Sequence, residues 1–172
     1  MVEQQEASED AVMTRIGQAL MLLHGGDREE ARNRFGLLWS ELGADGDGLH
    51  RCTLAHYMAD TQDDPGDELA WDLRALTAAE GLSGERSAEH RDSLAVQALY
   101  PSLHLNLAAD YLKLQRPDAA RIHLRQARDA ADALENGGPA GQGTPGPYSG
   151  YSGYDAGVRA AIERLEERMR GV

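Results

Sequence analysis

Helical periodicity dominates this chain: apolar residues recur three and four positions apart, with polar residues filling the intervals. Met13, Ile16, Leu20 and Leu23 predict a first helix, capped by Ser8 or Asp10 and ended at Gly25-Gly26. Asp27 opens a second, with Glu29 and Glu30 in its first turn, where they complement the helix dipole. Its stripe is Ala31, Phe35, Leu38 and Leu42, and Gly43 is the stop. A turn over Ala44–Gly48 leads into a third helix through Leu54, Tyr57 and Met58. Asp63-Asp64-Pro65-Gly66-Asp67 then reads as a turn and a capped start for a fourth, carrying Leu69, Leu73 and Leu76 and ending near Gly81. Ala88–Leu99 fits either an extra helical turn or two or an extension into the next helix. Pro101 suits the first position of a fifth helix, which reaches about Gln115, and Pro117 starts a sixth that runs to Asn136.

Gly137–Gly153 is rich in Gly, Pro and Ser, with the near-repeat Tyr148-Ser149-Gly150-Tyr151-Ser152-Gly153-Tyr154. Such a stretch loses much entropy on ordering and buries little, which predicts a flexible loop. A last amphipathic helix begins near Asp155, with Val158, Ile162, Leu165 and Met169 on one side. Arg159–Glu163 and Glu166–Arg170 stand at i,i+4 on the other.

The helices fall into antiparallel pairs that share a register. Ile16, Gly17 and Leu20, then Ala31, Phe35 and Leu38, become Leu54, Ala55 and Met58, then Leu69, Leu73 and Leu76, at a constant offset of 38 residues. By the same offset Arg51 stands for Met13. The third pair offers His104, Leu107, Ala108 and Tyr111, then Ala120, Leu124 and Ala127. A small residue in each first helix (Gly17, Ala55, Ala108) is expected to let the second approach closely. No pair buries its apolar face alone, so stacking three and covering the last makes a continuous core.

This spacing resembles the tetratricopeptide repeat family, most closely in Leu105–Leu114 with Ala120, Leu124 and Ala127. Arg51 and His104 stand where that family prefers a large aromatic. The resemblance implies an all-α fold: a right-handed superhelix of about three antiparallel helix pairs plus a C-terminal capping helix. The layout is an acidic N-terminal tail (1–10), a repeat domain (11–136), the flexible loop (137–153) and the capping helix (154–172). The pairs occupy about 11–43, 48–81 and 101–136, with an insertion at 82–100. The chain is also similar to small actinobacterial members of the family. Sixteen arginines against the single lysine, Lys113, agree with a GC-rich genome of that kind.

Composition narrows the partners. Hydrophobic residues are 41% of the chain, enough for a packed core, while aromatics are only 5%, which favours helices over strands. The formal net charge of -12 opposes binding to nucleic acid. Nine carboxylates between Glu41 and Asp72 face one arginine, Arg51, and read as a solvated face or a patch that steers a basic partner. No apolar run approaches the roughly 20 residues of a membrane span. Met1–Asp10 lacks the features of a signal peptide, so a cytoplasmic location is expected. Cys52 is the sole cysteine, which rules out an intramolecular disulfide.

In the family, first helices of each pair line a concave surface that receives an extended peptide or a partner's helix. By register, the positions implied here are Thr14, Arg15 and Gln18, then Thr53, His56 and Asp60, then Asn106 and Lys113. Asn106 stands where peptide-binding relatives hydrogen-bond the ligand's backbone, a task suited to an amide that both donates and accepts. Its alternative is a bond to a neighbouring helix. Only Arg15 and Lys113 serve a carboxylate clamp, with Asp60 opposing them, so a neutral or basic segment is the better fit. His56 and Asp60, at i,i+4, offer two metal ligands or a His–Asp pair, and two ligands do not make a site. Asp45-Gly46-Asp47-Gly48 opens like a calcium loop but continues with Leu49 and His50 where oxygen ligand and glycine belong. No phosphate-binding loop or nucleophile elbow is present. The expectation is a protein-interaction module without catalysis, cofactor or metal. One alternative is a self-associating module that dimerises through Trp39 or Trp71; a remote one is an enzyme or metal site at His56 and Asp60.

Overall fold

The computed structural model describes the backbone of residues 2–84, 90–137 and 151–171, and side chains within 11–82, 97–136 and 157–171. It is all-α. Among the described residues there are seven helices: α1 (Val2–His24), α2 (Arg28–Leu42), α3 (Gly48–Ala59), α4 (Pro65–Gly84), α5 (His90–Lys113), α6 (Pro117–Gly137) and α7 (Tyr151–Arg170). Sequential neighbours pack largely as antiparallel pairs, and the chain divides into two compact units, Met1–Ala88 and Glu89–Val172. None of the described helices is long and apolar enough to cross a membrane.

Local chemistry sets most boundaries. Asp27 caps α2 by accepting from the Glu30 N–H at 3.2 Å, and Asp47 caps α3 through the His50 N–H at 2.9 Å. Asp64 Oδ1 takes the N–H groups of Gly66 and Asp67 at the start of α4. Gly43 ends α2 at φ 63°, a left-handed conformation that glycine adopts without strain. Three boundaries depart from the sequence reading. α1 starts at Val2, so Ser8 and Asp10 are interior positions, consistent with the helix-forming run Glu3-Gln4-Gln5-Glu6-Ala7. α7 starts at Tyr151 and α6 runs to Gly137, so four residues assigned to the loop are helical; the rest of that loop, 138–150, lies outside the described residues. Pro101 lies inside α5 and does not begin it. Proline cannot donate to the carbonyl four residues back, and here the helix carries on past that missing bond. The extension alternative for Ala88–Leu99 therefore holds over its described part, from His90 onward.

The first unit's core is Ile16, Ala19, Ala31, Phe35, Leu38, Leu54 and Met58, with Leu20, Leu23, Trp39 and Trp71 against it. Two register expectations fail. Gly17 is exposed with nothing near the position of its missing Cβ, and Met13 is 42% exposed; the small buried residue of α1 is Ala19. On α4, Leu73 is 38% exposed, while Asp72, Ala75, Leu76 and Ala79 are buried. α3 packs on α4, and both bury alanines (Ala55, Ala59, Ala75, Ala79), which permit a close approach that a leucine would prevent. The 38-residue offset thus survives from α1 to α3 at Ile16 and Leu54, and breaks from α2 to α4 at Phe35 and Leu73.

In the second unit five of the seven register positions are buried, and His104 and Tyr111 are half-buried. Leu107, Ala108, Ala120, Leu124 and Ala127 are all buried, and Ile162, Leu165 and Met169 of α7 join their core with Val158 packed against it. α7 is not held by its own i,i+4 pairs. Arg159 reaches across to α6, donating to the Ala131 carbonyl at 2.8 Å and pairing with Asp132 and Glu135; Glu166 pairs with Arg128 at 3.0 Å.

Candidate functional site

In the first unit, Thr14, Arg15 and Gln18 are exposed on α1. The Arg15 guanidinium forks onto both carboxylate oxygens of Glu41, at 2.5 and 3.0 Å, and these hydrogen bonds hold the Glu41 carboxyl below its ordinary range. Arg15 is therefore tied to α2. Thr53 and His56 are half-buried on α3, and Asp60 is exposed at its C-cap.

His56 turns toward α4, with Nδ1 3.5 Å from Asp72 Oδ1. Asp72 is 1% exposed, and neither of its carboxylate oxygens has a hydrogen-bond donor. It belongs to the interior, not to the solvated acidic face on which its sequence neighbours placed it. Cys52, one turn before His56, is also buried. Burial first, and the Asp72 charge second, push its thiol up to about 12. A thiol held that high supplies no nucleophile near neutrality. Among the described residues no group of three or more His, Cys, Asp or Glu side chains stands where it could hold a metal.

An open groove of about 600 Å³ runs along α2, lined by Arg32, Gly36, Leu37 and Ser40 with Met58 and Trp71. Leu37 stands at 62% exposure. Arg32 is occupied by the Thr61 carbonyl and by Asp63, whose carboxyl is drawn below its ordinary range by hydrogen bonds from Arg32 and Arg28. Trp39 and Trp71 meet edge to face at 5.1 Å, Arg51 lies over Trp39 at 4.2 Å, and Arg74 lies over Trp71 at 4.5 Å. Arg51 thus covers an aromatic ring of the neighbouring helix.

The second unit holds Asn106, half-buried, and Lys113, exposed, both on α5. Lys113 Nζ lies 3.8 Å from Asp110, which is 1% exposed. Sequence reasoning missed the neighbouring ring stack. His104 Nδ1 is 3.1 Å from His123 Nδ1, joining α5 to α6, with Tyr100 stacked on His104 and Tyr111 on His123. One imidazole must carry its proton on Nδ1 and the other must present a bare nitrogen, so the contact is lost once both rings are protonated. Burial, then the charge of His123, pushes His104 down to about 4, and burial lowers His123. Tyr100, His104 and Tyr111 share one face of α5 by helical spacing, which was the available signal. That His123 meets them required the pairing of two helices.

No family model, curated protein or solved structure matches the chain. The functional reading therefore rests on these surfaces and on their chemistry.

Proposed function

We propose that the chain is a cytoplasmic protein-interaction module built on tetratricopeptide-like helix pairs stacked as a right-handed superhelix. The first helix of each pair presents the surface for a neutral or basic peptide or helix of a partner. The observation that carries this reading is the α5–α6 pair: Leu107, Ala108, Ala120, Leu124 and Ala127 of its family-like register are buried and Tyr111 is half-buried against them, while Asn106 is half-buried. The surface candidates divide by the geometry. In the first unit Arg15 pairs with Glu41 and His56 with Asp72, beside Thr14, Gln18, Thr53 and Asp60; in the second, Asn106 and Lys113 stand on α5, with Lys113 near Asp110. An enzyme or metal site at His56 and Asp60 draws less support, because His56 turns into the interior.

A second reading is favoured by the groove along α2. Its exposed Leu37 beside Met58 and Trp71 offers an apolar face to a partner or to a second copy of the chain, as the tryptophan-mediated dimer would require. One set of variants separates the two. With a captured partner in hand, Gln18→Ala with Asn106→Ala should weaken binding about tenfold or more, and Leu37→Glu should leave it intact. Loss of binding in Leu37→Glu alone moves the site to α2. Concentration-dependent sedimentation that Leu37→Glu abolishes assigns that groove to self-association.

A further inference from the structure

The carboxylates of this acidic chain are unevenly shared. Residues 1–88 hold 18 acidic side chains against 7 basic, whereas residues 89–172 hold 11 against 10. Within the second unit the basic residues are not scattered. Arg121, Arg125 and Arg128 occupy i, i+4 and i+7 on α6, and Arg170 joins them from α7 around an open groove of about 540 Å³. Its apolar lining is Leu124 and Met169, 5% and 6% exposed. Like charges one turn apart repel, so such a row weakens the helix that carries it unless something neutralises it. Asp118 answers Arg121 at 3.1 Å and Glu166 answers Arg128 at 3.0 Å. Among the described residues, Arg125 and Arg170 have no acidic partner.

We propose that this α6–α7 groove binds an acidic segment of another protein, in which carboxylate side chains flank an apolar one. The guanidiniums of α6 are strung along two helical turns, roughly 10 Å, and do not converge on a point, which suits carboxylates spaced along a chain better than a single phosphate. The forks of Arg125 and Arg170 each match a carboxylate bidentately, and Leu124 with Met169 gives the apolar side chain a floor. The chain's own acidic block is a poor occupant. Glu41 is held by Arg15, Asp63 by Arg28 and Arg32, and Asp72 is buried. This surface is separate from the helix faces of the proposed function and takes the opposite charge.

Fluorescence anisotropy on the full chain tests it, with a labelled peptide of repeating Asp-Glu-Leu units as probe. Comparison probes are a Lys-Lys-Leu peptide, a short RNA and inorganic phosphate. The acidic peptide should bind and the basic one should not, with affinity falling as salt rises. Arg125→Glu and Arg170→Glu should each weaken it at least about tenfold, and Arg125→Lys less. Arg168→Glu, the same charge change at an exposed α7 position outside the groove, should leave it unaltered, with melting curves showing all variants folded. Equal loss in Arg168→Glu reduces the effect to net charge and overturns the proposal. So does tighter binding of RNA or phosphate than of the acidic peptide, or no binding of the peptide at all.

Discussion

At the scale of single residues, Asp72 is the position whose chemistry and surroundings disagree most. A carboxylate in the interior loses its hydration, and only donors or a close cation offset that loss. Asp72 has His56 at 3.5 Å and no hydrogen-bond donor on either oxygen. Replacement by an apolar side chain of similar volume removes the desolvated group without opening a cavity. Asp72→Leu is therefore expected to stabilise the fold by about 1 kcal/mol or more, read as a higher urea midpoint at unchanged slope. A lower midpoint would mean that the His56 contact outweighs the desolvation. Cys52 makes the contrasting case. It is a titratable group that burial has left as a small apolar side chain, with its thiol held at about 12.

At the scale of elements, α5 and α6 are joined by a contact that depends on protonation. The folded unit holds His104 near 4, against about 6.5 for a free imidazole. Between those values the unfolded chain binds more protons than the folded one, so stability falls as pH drops through that window and is level above it. Thermal unfolding should show a lower midpoint at pH 5 than at pH 7, and His104→Phe should flatten most of that difference while keeping the ring stack. Losses through Glu41 and Asp63 come at lower pH, because both carboxyls are held below their ordinary range. A pH profile unchanged in His104→Phe would assign the acid sensitivity elsewhere. The α6–α7 junction follows a different logic. Arg159 makes two exposed ion pairs, which contribute little, and one hydrogen bond to the Ala131 carbonyl, which anchors the helix at a defined point.

At the scale of the whole molecule, the net charge of -12 is carried mostly by residues 1–88. Self-repulsion of that kind opposes compaction and is screened once the Debye length falls to about 10 Å, near 0.1 M salt. The chain's thermal midpoint should rise as sodium chloride is added from low ionic strength to that range. A falling midpoint would show that ion pairs such as Arg28–Asp63 and Arg15–Glu41 outweigh the repulsion. The same uneven charge leaves the arginines of α6 and α7 as the local exception, and the two proposed surfaces as opposites in the segments they accept.

Local signals set the all-α class, the helix-starting role of Asp27 and the helix-ending role of Gly43, the start of α6 at Pro117 and the stripe Val158, Ile162, Leu165, Met169. Periodicity and turn chemistry depend only on near neighbours along the chain, so they were legible. Three things depended on which helices meet. α4 turns Asp72 inward and Leu73 outward because alanines on α3 and α4 pack closely, and no count of leucines reveals that. Arg15 and Arg159 choose carboxylates on neighbouring helices over solvent or an i,i+4 partner. His104 finds His123, and Arg170 finds the arginine row of α6, across helix boundaries. Helix position follows from sequence period; a side chain's partner follows from the face that another helix brings to it.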